Sequence, residues 1–241
     1  MIGAALRTDK RVRNDFVFER ALDGAMNTLM RLPGTATTEL LLVRNAEPDY
    51  AVSAAGVMRQ PALSERGQNQ ARQLAMRLRG LEIEAVYRST EWSAVDTART
   101  VAADRDLRVV LAPELRDIEL NPVALNGTGS DRQRLQAELC VRFANNPRWD
   151  ALRGVEPTRA FRHRTIQAIE AIASRREGKR AVIVTQGANI NAYLSMVLGI
   201  ERDMFFQAEF TSISTVRIRR DLYGVQGLND YAHLPAGVLA N

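Results

Sequence analysis

Thr38-Glu39-Leu40-Leu41-Leu42-Val43-Arg44-Asn45-Ala46-Glu47 decides the fold. Leu40 to Val43 form an unbroken apolar run between turn-rich flanks, the pattern of a strand buried on both faces of a parallel sheet. The run ends in the polar cluster Arg44–Glu47. In open α/β sheets, ligands sit at that carboxyl end.

Similar runs recur downstream. Glu84–Arg88, Arg108–Ala112 and Ala181–Thr185 read as strands of the same kind, and Phe210–Arg219 and Val225–Asn229 as closing strands. Helical periodicity fills the gaps. Ser64 is placed to cap a helix whose buried face is Ala71, Leu74, Ala75 and Leu78, closed by Gly80. Asp131–Asn145, with Leu135, Leu139 and Phe143, reads as a second helix, ended by Asn146-Pro147. Thr158–Arg175, with Phe161, Thr165, Ile169 and Ile172, reads as a third. Another follows Gln186-Gly187-Ala188 with Ile190, Tyr193, Leu194 and Val197 facing inward. Strands alternating with helices predict an α/β fold: a three-layer α/β/α sandwich with a mostly parallel central sheet.

Residues 1–34 stand apart as an N-terminal extension, with 35–241 as the main domain. Asn14 or Asp15 is placed to cap a helix running to about Leu32, with Phe18, Leu22, Ala25, Met26 and Leu29 on one face. That face must be buried, either on its own domain or on another subunit, so residues 14–32 are the candidate contact for a homo-oligomer or a paralogue. Pro33-Gly34 breaks the chain before the first strand.

Composition narrows the function classes. The 241 residues are 46% hydrophobic, as in an ordinary globular domain with a real core. The one cysteine, Cys140, rules out an internal disulfide and fits a reducing compartment. No run of about 18 apolar residues exists to span a membrane. With no secretory pattern at the N-terminus, the expected location is cytoplasmic. The net charge of +5 comes almost wholly from arginine, lysine appearing only at Lys10 and Lys179. The arginines are dispersed and form no stripe with interleaved aromatics, which argues against nucleic acid as a partner. No dedicated metal cluster is present in the sequence, and no cofactor is expected. His163 on its helix has no neighbours at metal-ligand spacing.

Six segments, in order, resemble the histidine phosphatase (phosphoglycerate mutase-like) superfamily. Arg44-Asn45-Ala46-Glu47 matches the family's Arg-His-Gly-Glu strand end. Leu63-Ser64-Glu65-Arg66-Gly67, completed by Gln70-Ala71, matches its Leu-Thr/Ser-x-x-Gly-x-x-Gln-Ala helix start. Ser89–Ala98 matches Ser-Pro-x-x-Arg-Ala-x-x-Thr-Ala through Ser89, Ala94, Thr97 and Ala98. Leu115-Arg116-Asp117 matches Leu-x-Glu, which carries the general acid. Thr185-Gln186-Gly187-Ala188 matches Ser-His-Gly-Gly, and Asn229 to His233-Leu234 matches a C-terminal Asn…His-Leu. Asn121 stands where the family often has glycine, and the family's pocket-covering loop is not recognisable in Pro122–Ser130.

The resemblance also marks departures. Asn45 holds the family's nucleophilic histidine position, Ser93 its phosphate-binding arginine and Gln186 its second histidine. Arg44 is retained, and the acid becomes Asp117, or Glu119 if the register slips by two. A carboxamide nitrogen delocalises its lone pair and cannot take up a phosphoryl group as imidazole does. A serine offers a neutral donor where a forked cation suits phosphate. The expectation is a catalytically inactive relative, a pseudophosphatase acting by binding a protein partner or an anionic ligand. The alternatives are a phosphatase or mutase with remodelled chemistry, using Glu47 or Asp117, and a structural subunit beside an active paralogue. Amides at both histidine positions keep hydrogen-bonding tips, so Arg44, Asn45, Glu47, Ser93, Asp117, Gln186 and Gly187 are the candidate ligand-binding set. A weak residual phosphate or sulfate site is expected there, unless Arg44 pairs with Glu47 or Asp117 and closes it.

Overall fold

The computed structural model describes residues 24–26, 32, 36–49, 62–103, 105–119, 140–142, 144–149, 154–235 and 238. Strand β1 spans Thr38–Arg44, β2 Ala85–Arg88, β3 Val109–Leu111, β4 Arg180–Thr185, β5 Ile213–Arg219 and β6 Leu222–Asp230. The helices are α1 (Glu65–Leu78), α2 (Trp92–Ala102), α3 (Thr158–Arg175) and α4 (Gly187–Leu198). The sheet order is β3-β2-β4-β1-β5-β6. The first four strands in that order are mutually parallel, and β5 and β6 add an antiparallel edge.

The apolar run of β1 lies at the centre because both of its faces are covered. Leu40 and Leu42 pack with Ile183 of β4, Ile169 of α3 and Tyr193 of α4. Leu41 and Val43, which point the other way, pack with Leu74 and Leu78 of α1 and Ala98 and Val101 of α2. Two cores on either side of one sheet make the expected α/β/α sandwich.

Local chemistry sets the element ends. Ser64 caps α1, its Oγ accepting from Gly67 N at 2.9 Å. Ala75 is only half-buried, and Gly80 lies in the turn beyond the helix. A Cβ on Gly67 would stand 2.0 Å from the Glu47 carbonyl oxygen, so only glycine lets α1 approach the end of β1. Gln70, fully buried, ties the same point from α1: its Oε1 accepts from Glu47 N at 3.0 Å while its Nε2 donates to Val238 O. Two elements of the helix-start motif, the glycine and the glutamine, thus both hold the backbone that follows Arg44.

Of the N-terminal helix, 24–26 are helical. Ala25 and Met26, expected on the buried face, are exposed, Met26 to 48%. Phe18, Leu22 and Leu29 lie outside the described residues, as do Pro33-Gly34, Asn121, Pro122–Ser130 and the first part of the Asp131–Asn145 helix, of which 140–142 and 144–145 are helical. Leu32 is 1% exposed and packs at the opposite end of the sheet from Arg44, close to Glu39 and Arg217. No helix among the described residues is long and apolar enough to cross a membrane.

Candidate active site

The carboxyl ends of β1, β2 and β4 meet at one edge of the sheet, stitched by backbone bonds from Asn45 N to Thr185 O (2.9 Å) and Ser89 N to Val184 O (3.0 Å). A cavity of about 460 Å³ opens there. Arg44, Asn45, Ser93, Asp117, Gln186 and Gly187 line it, so the structure gathers six of the seven candidate ligand-binding residues around one space.

Glu47 is the exception. It lies outside the cavity and accepts from Arg66, with Nη2 2.9 Å from Oε1. A neighbour on the first turn of α1 thus takes the carboxylate that the sequence offered to Arg44. Glu119 is likewise set apart, pairing with Arg116 Nε at 2.7 Å. Asp117, not Glu119, faces the cavity.

Arg44 enters from the end of β1. Its guanidinium carbon lies over the Phe210 ring, 3.7 Å from the centroid, and the group donates to the Ala208 carbonyl. Asn45 is buried and donates from Nδ2 to Ala46 O at 2.9 Å. Ala46 N in turn donates to Thr97 Oγ1, whose hydroxyl donates to Ser93 O at 2.6 Å, locking the β1 loop to α2. Gln186 closes β4, with Nε2 3.2 Å from Ser89 Oγ and Oε1 3.2 Å from Thr185 Oγ1. The amides at the two histidine positions are therefore held by the walls of the cavity. Helix α4 begins at Gly187 and α2 at Trp92, so the positive ends of two helix dipoles border the space.

The negative side was only half legible. Glu91, at the N-cap of α2, also lines the cavity, and its Oε1 accepts from Asp117 N (2.8 Å) and Thr90 Oγ1 (3.2 Å). Its Oε2 is buried with no hydrogen-bond partner among the described residues. Asp117 keeps contact with solvent in the cleft. The protein around it still strips away enough water to push its pKa up to about 6, with the Glu91 charge adding to that. The Ile118 amide and the charges of Arg164 and Arg44 pull the other way without cancelling it.

Sequence reasoning also missed the apolar walls: Trp92, Ile118, Trp149, Met204 and Phe210. These lie mostly in segments that match no motif. Two buried arrangements hold the segments of Trp149 and Ile118. Asp203, 1% exposed, accepts from Trp149 N at 2.8 Å and Thr158 Oγ1 at 2.7 Å. Arg164 clasps Glu156 with two bonds of 2.8 and 2.7 Å and donates to the carbonyls of Glu114, Arg116 and Asp117. The Asp117 segment thereby hangs from α3. A buried aspartate just beyond α4 and an arginine interrupting the apolar face of α3 were the available signals.

Both histidines are elsewhere. His163 is exposed on α3, and His233 sits half-buried with Nε2 3.3 Å from Thr211 Oγ1. Burial lowers the His233 pKa despite the opposing Asp230 charge. Among the described residues no group of three or more His, Cys, Asp or Glu is placed to hold a metal ion.

Comparison with known proteins agrees with this architecture. Residues 40–231 match the model of the histidine phosphatase superfamily (branch 1). The chain is 26% identical over 200 residues to Phosphoserine phosphatase 1 of Hydrogenobacter thermophilus, covering 81% of this chain and 94% of that protein. Among solved structures, YhfR of Bacillus stearothermophilus matches with a TM-score of 0.69 at 24% identity, over 81% of this chain and 98% of that one. Phosphoglycerate mutase from Bacillus anthracis str. Sterne matches with a TM-score of 0.66 at 18% identity, over 83% and 96%. With the matched span running from the first strand to the end of the last, the chain belongs to the histidine phosphatase superfamily.

Proposed function

We propose that this chain has given up phosphohistidine chemistry and uses its strand-end cavity to bind an anionic organic ligand. One observation carries the reading. The side chain at the head of the cavity is the carboxamide of Asn45, buried and donating to the Ala46 carbonyl. A carboxamide nitrogen has its lone pair delocalised into the carbonyl and is a poor nucleophile toward phosphorus. The other clamps of the reaction are replaced by the neutral tips of Ser93 and Gln186, leaving Arg44 as the cation that lines the cavity among the described residues. Losing one such electrostatic contact costs about 10²–10³ in rate. Losing the nucleophile as well removes the covalent route altogether. Arg44 and two helix N-termini still favour negative charge, which supports retained anion binding.

The test is turnover of p-nitrophenyl phosphate and of phosphoglycerates by the purified protein. None above background is expected. Turnover that vanishes in Arg44→Ala or Asp117→Ala overturns the proposal.

A second reading has two observations in its favour. Asp117, with its pKa near 6, is poised as a general acid, and the relative from Hydrogenobacter thermophilus bears the name of a phosphatase. In that reading water attacks phosphorus directly. The same turnover assay separates the two.

A further inference from the structure

The lining of the cavity says more about the ligand than that it is an anion. One guanidinium, Arg44, faces two carboxylates, Glu91 and Asp117, and among the described residues these are the ionisable groups on the wall. Arg44 is also already engaged with Phe210 and the Ala208 carbonyl. A phosphomonoester dianion would bring a second negative charge toward Glu91 and Asp117, with no second cation among the described lining residues to meet it. A single negative charge matches what the site offers.

The cavity is also large for a charged head alone. Its volume of about 460 Å³ lies in the range of pockets that enclose whole organic molecules. Trp92, Trp149, Ile118 and Met204 supply broad apolar and aromatic surface beside the arginine. Trp92 is 59% exposed although it is one of the two largest side chains in the site, so apolar area stands ready to be covered.

We infer that the site takes an amphipathic monoanion, a carboxylate or phosphodiester with an aromatic or aliphatic body, and discriminates against phosphomonoester dianions. This rests on the reading of the cavity as a non-catalytic binding site. The charged group lies against Arg44 and the start of α4, and the body lies against the tryptophans.

The chain carries its own reporter, because Trp92 and Trp149 are its only tryptophans and both line the cavity. Tryptophan fluorescence is titrated with phenylacetate, phenyl phosphate, 2-phenylethanol and inorganic phosphate at mildly alkaline pH, where phenyl phosphate is a dianion. Phenylacetate should give a saturable change at a concentration roughly tenfold lower than each of the others. In Arg44→Gln, phenylacetate and 2-phenylethanol should bind alike. The inference is overturned if phenyl phosphate or inorganic phosphate binds as tightly as phenylacetate. It is equally overturned if 2-phenylethanol matches phenylacetate in the wild type, or if no probe gives a saturable change. Phenol release is followed in the phenyl phosphate titration. Its appearance overturns the non-catalytic reading, whereas the order of affinities decides this inference.

Discussion

Replacing Arg164 with methionine tests whether the acidic wall is held from α3. The Arg164 and Glu156 side chains are each 9% exposed and share two hydrogen bonds, and Arg164 also serves the carbonyls of Glu114, Arg116 and Asp117. Methionine keeps the stem that packs near Phe161 but removes all five donations. The larger loss is the one left behind, a screened-off Glu156 carboxylate without its partner. Breaking such a pair costs about 3–5 kcal/mol, against a total stability of roughly 5–15 kcal/mol. For a chain of this size that is a fall in Tm of roughly 6–20 °C. Urea unfolding should show the loss as a lower midpoint at unchanged slope. Burial pushes the Glu156 carboxyl up, but the Arg164 bonds and charge outweigh it, helped by the Glu119 amide and Arg116, and hold its pKa below the usual range. A depressed folded pKa means stability that is present above the ordinary glutamate value and lost as pH falls through the folded one. The gap between wild type and Arg164→Met should therefore narrow in acid. Adding Glu156→Leu should recover at least half of the loss. A cost under about 1 kcal/mol, the worth of an exposed pair, refutes the reasoning.

Gly67→Ala should destabilise by roughly 1–3 kcal/mol in thermal unfolding, because its Cβ meets the Glu47 carbonyl at 2.0 Å; a neutral alanine contradicts that packing. Asp203→Ala should cost about 2–4 kcal/mol by stranding Trp149 N and Thr158 Oγ1, and should red-shift Trp149 emission as its wall loosens. Asp117 has its pKa raised to about 6, so the folded state gains from its protonation: the penalty is full above about pH 6 and relieved as pH falls toward the ordinary aspartate value. Glu91, Arg44 and Arg164 are the charges that act on it. Phenylacetate, still an anion at pH 5.5, should bind more tightly there than at pH 7.5, and Asp117→Asn should abolish the difference. Asn45→His alone should not restore p-nitrophenyl phosphate turnover, since Ser93 and Gln186 still leave the phosphoryl group unclamped.

The sequence was most informative where backbone and side chain obey one local rule. The run Leu40–Val43 could only be a doubly covered strand, and Ser64 with Gly67 and Gln70 is a helix start whose spacing is fixed by capping and close approach. Arg44 followed from the end of that strand, whereas Asn45, Ser93, Asp117 and Gln186 were legible as site residues through the family resemblance, Ser93 lying in the first turn of α2. The partners of those residues did not. Glu47 and Arg66 lie 19 positions apart, and their pairing depends on how α1 packs, which no periodicity encodes. Trp149, Met204 and Phe210 reach the cavity through irregular connections, where side-chain direction has no period to read. Glu91 lies two residues before Ser93, and its place at the cavity depends on where α2 begins, which the sequence reading did not define.

The most direct test of the central claim is whether phosphorus ever becomes bonded to this chain. The protein is incubated with p-nitrophenyl phosphate, divided between an alkaline quench that spares a phosphoramidate and an acid quench that spares an acyl phosphate, and its intact mass is measured in each beside Asn45→Ala. The account predicts one unmodified mass for both. A wild-type species heavier by one phosphoryl group, absent from Asn45→Ala, would contradict it.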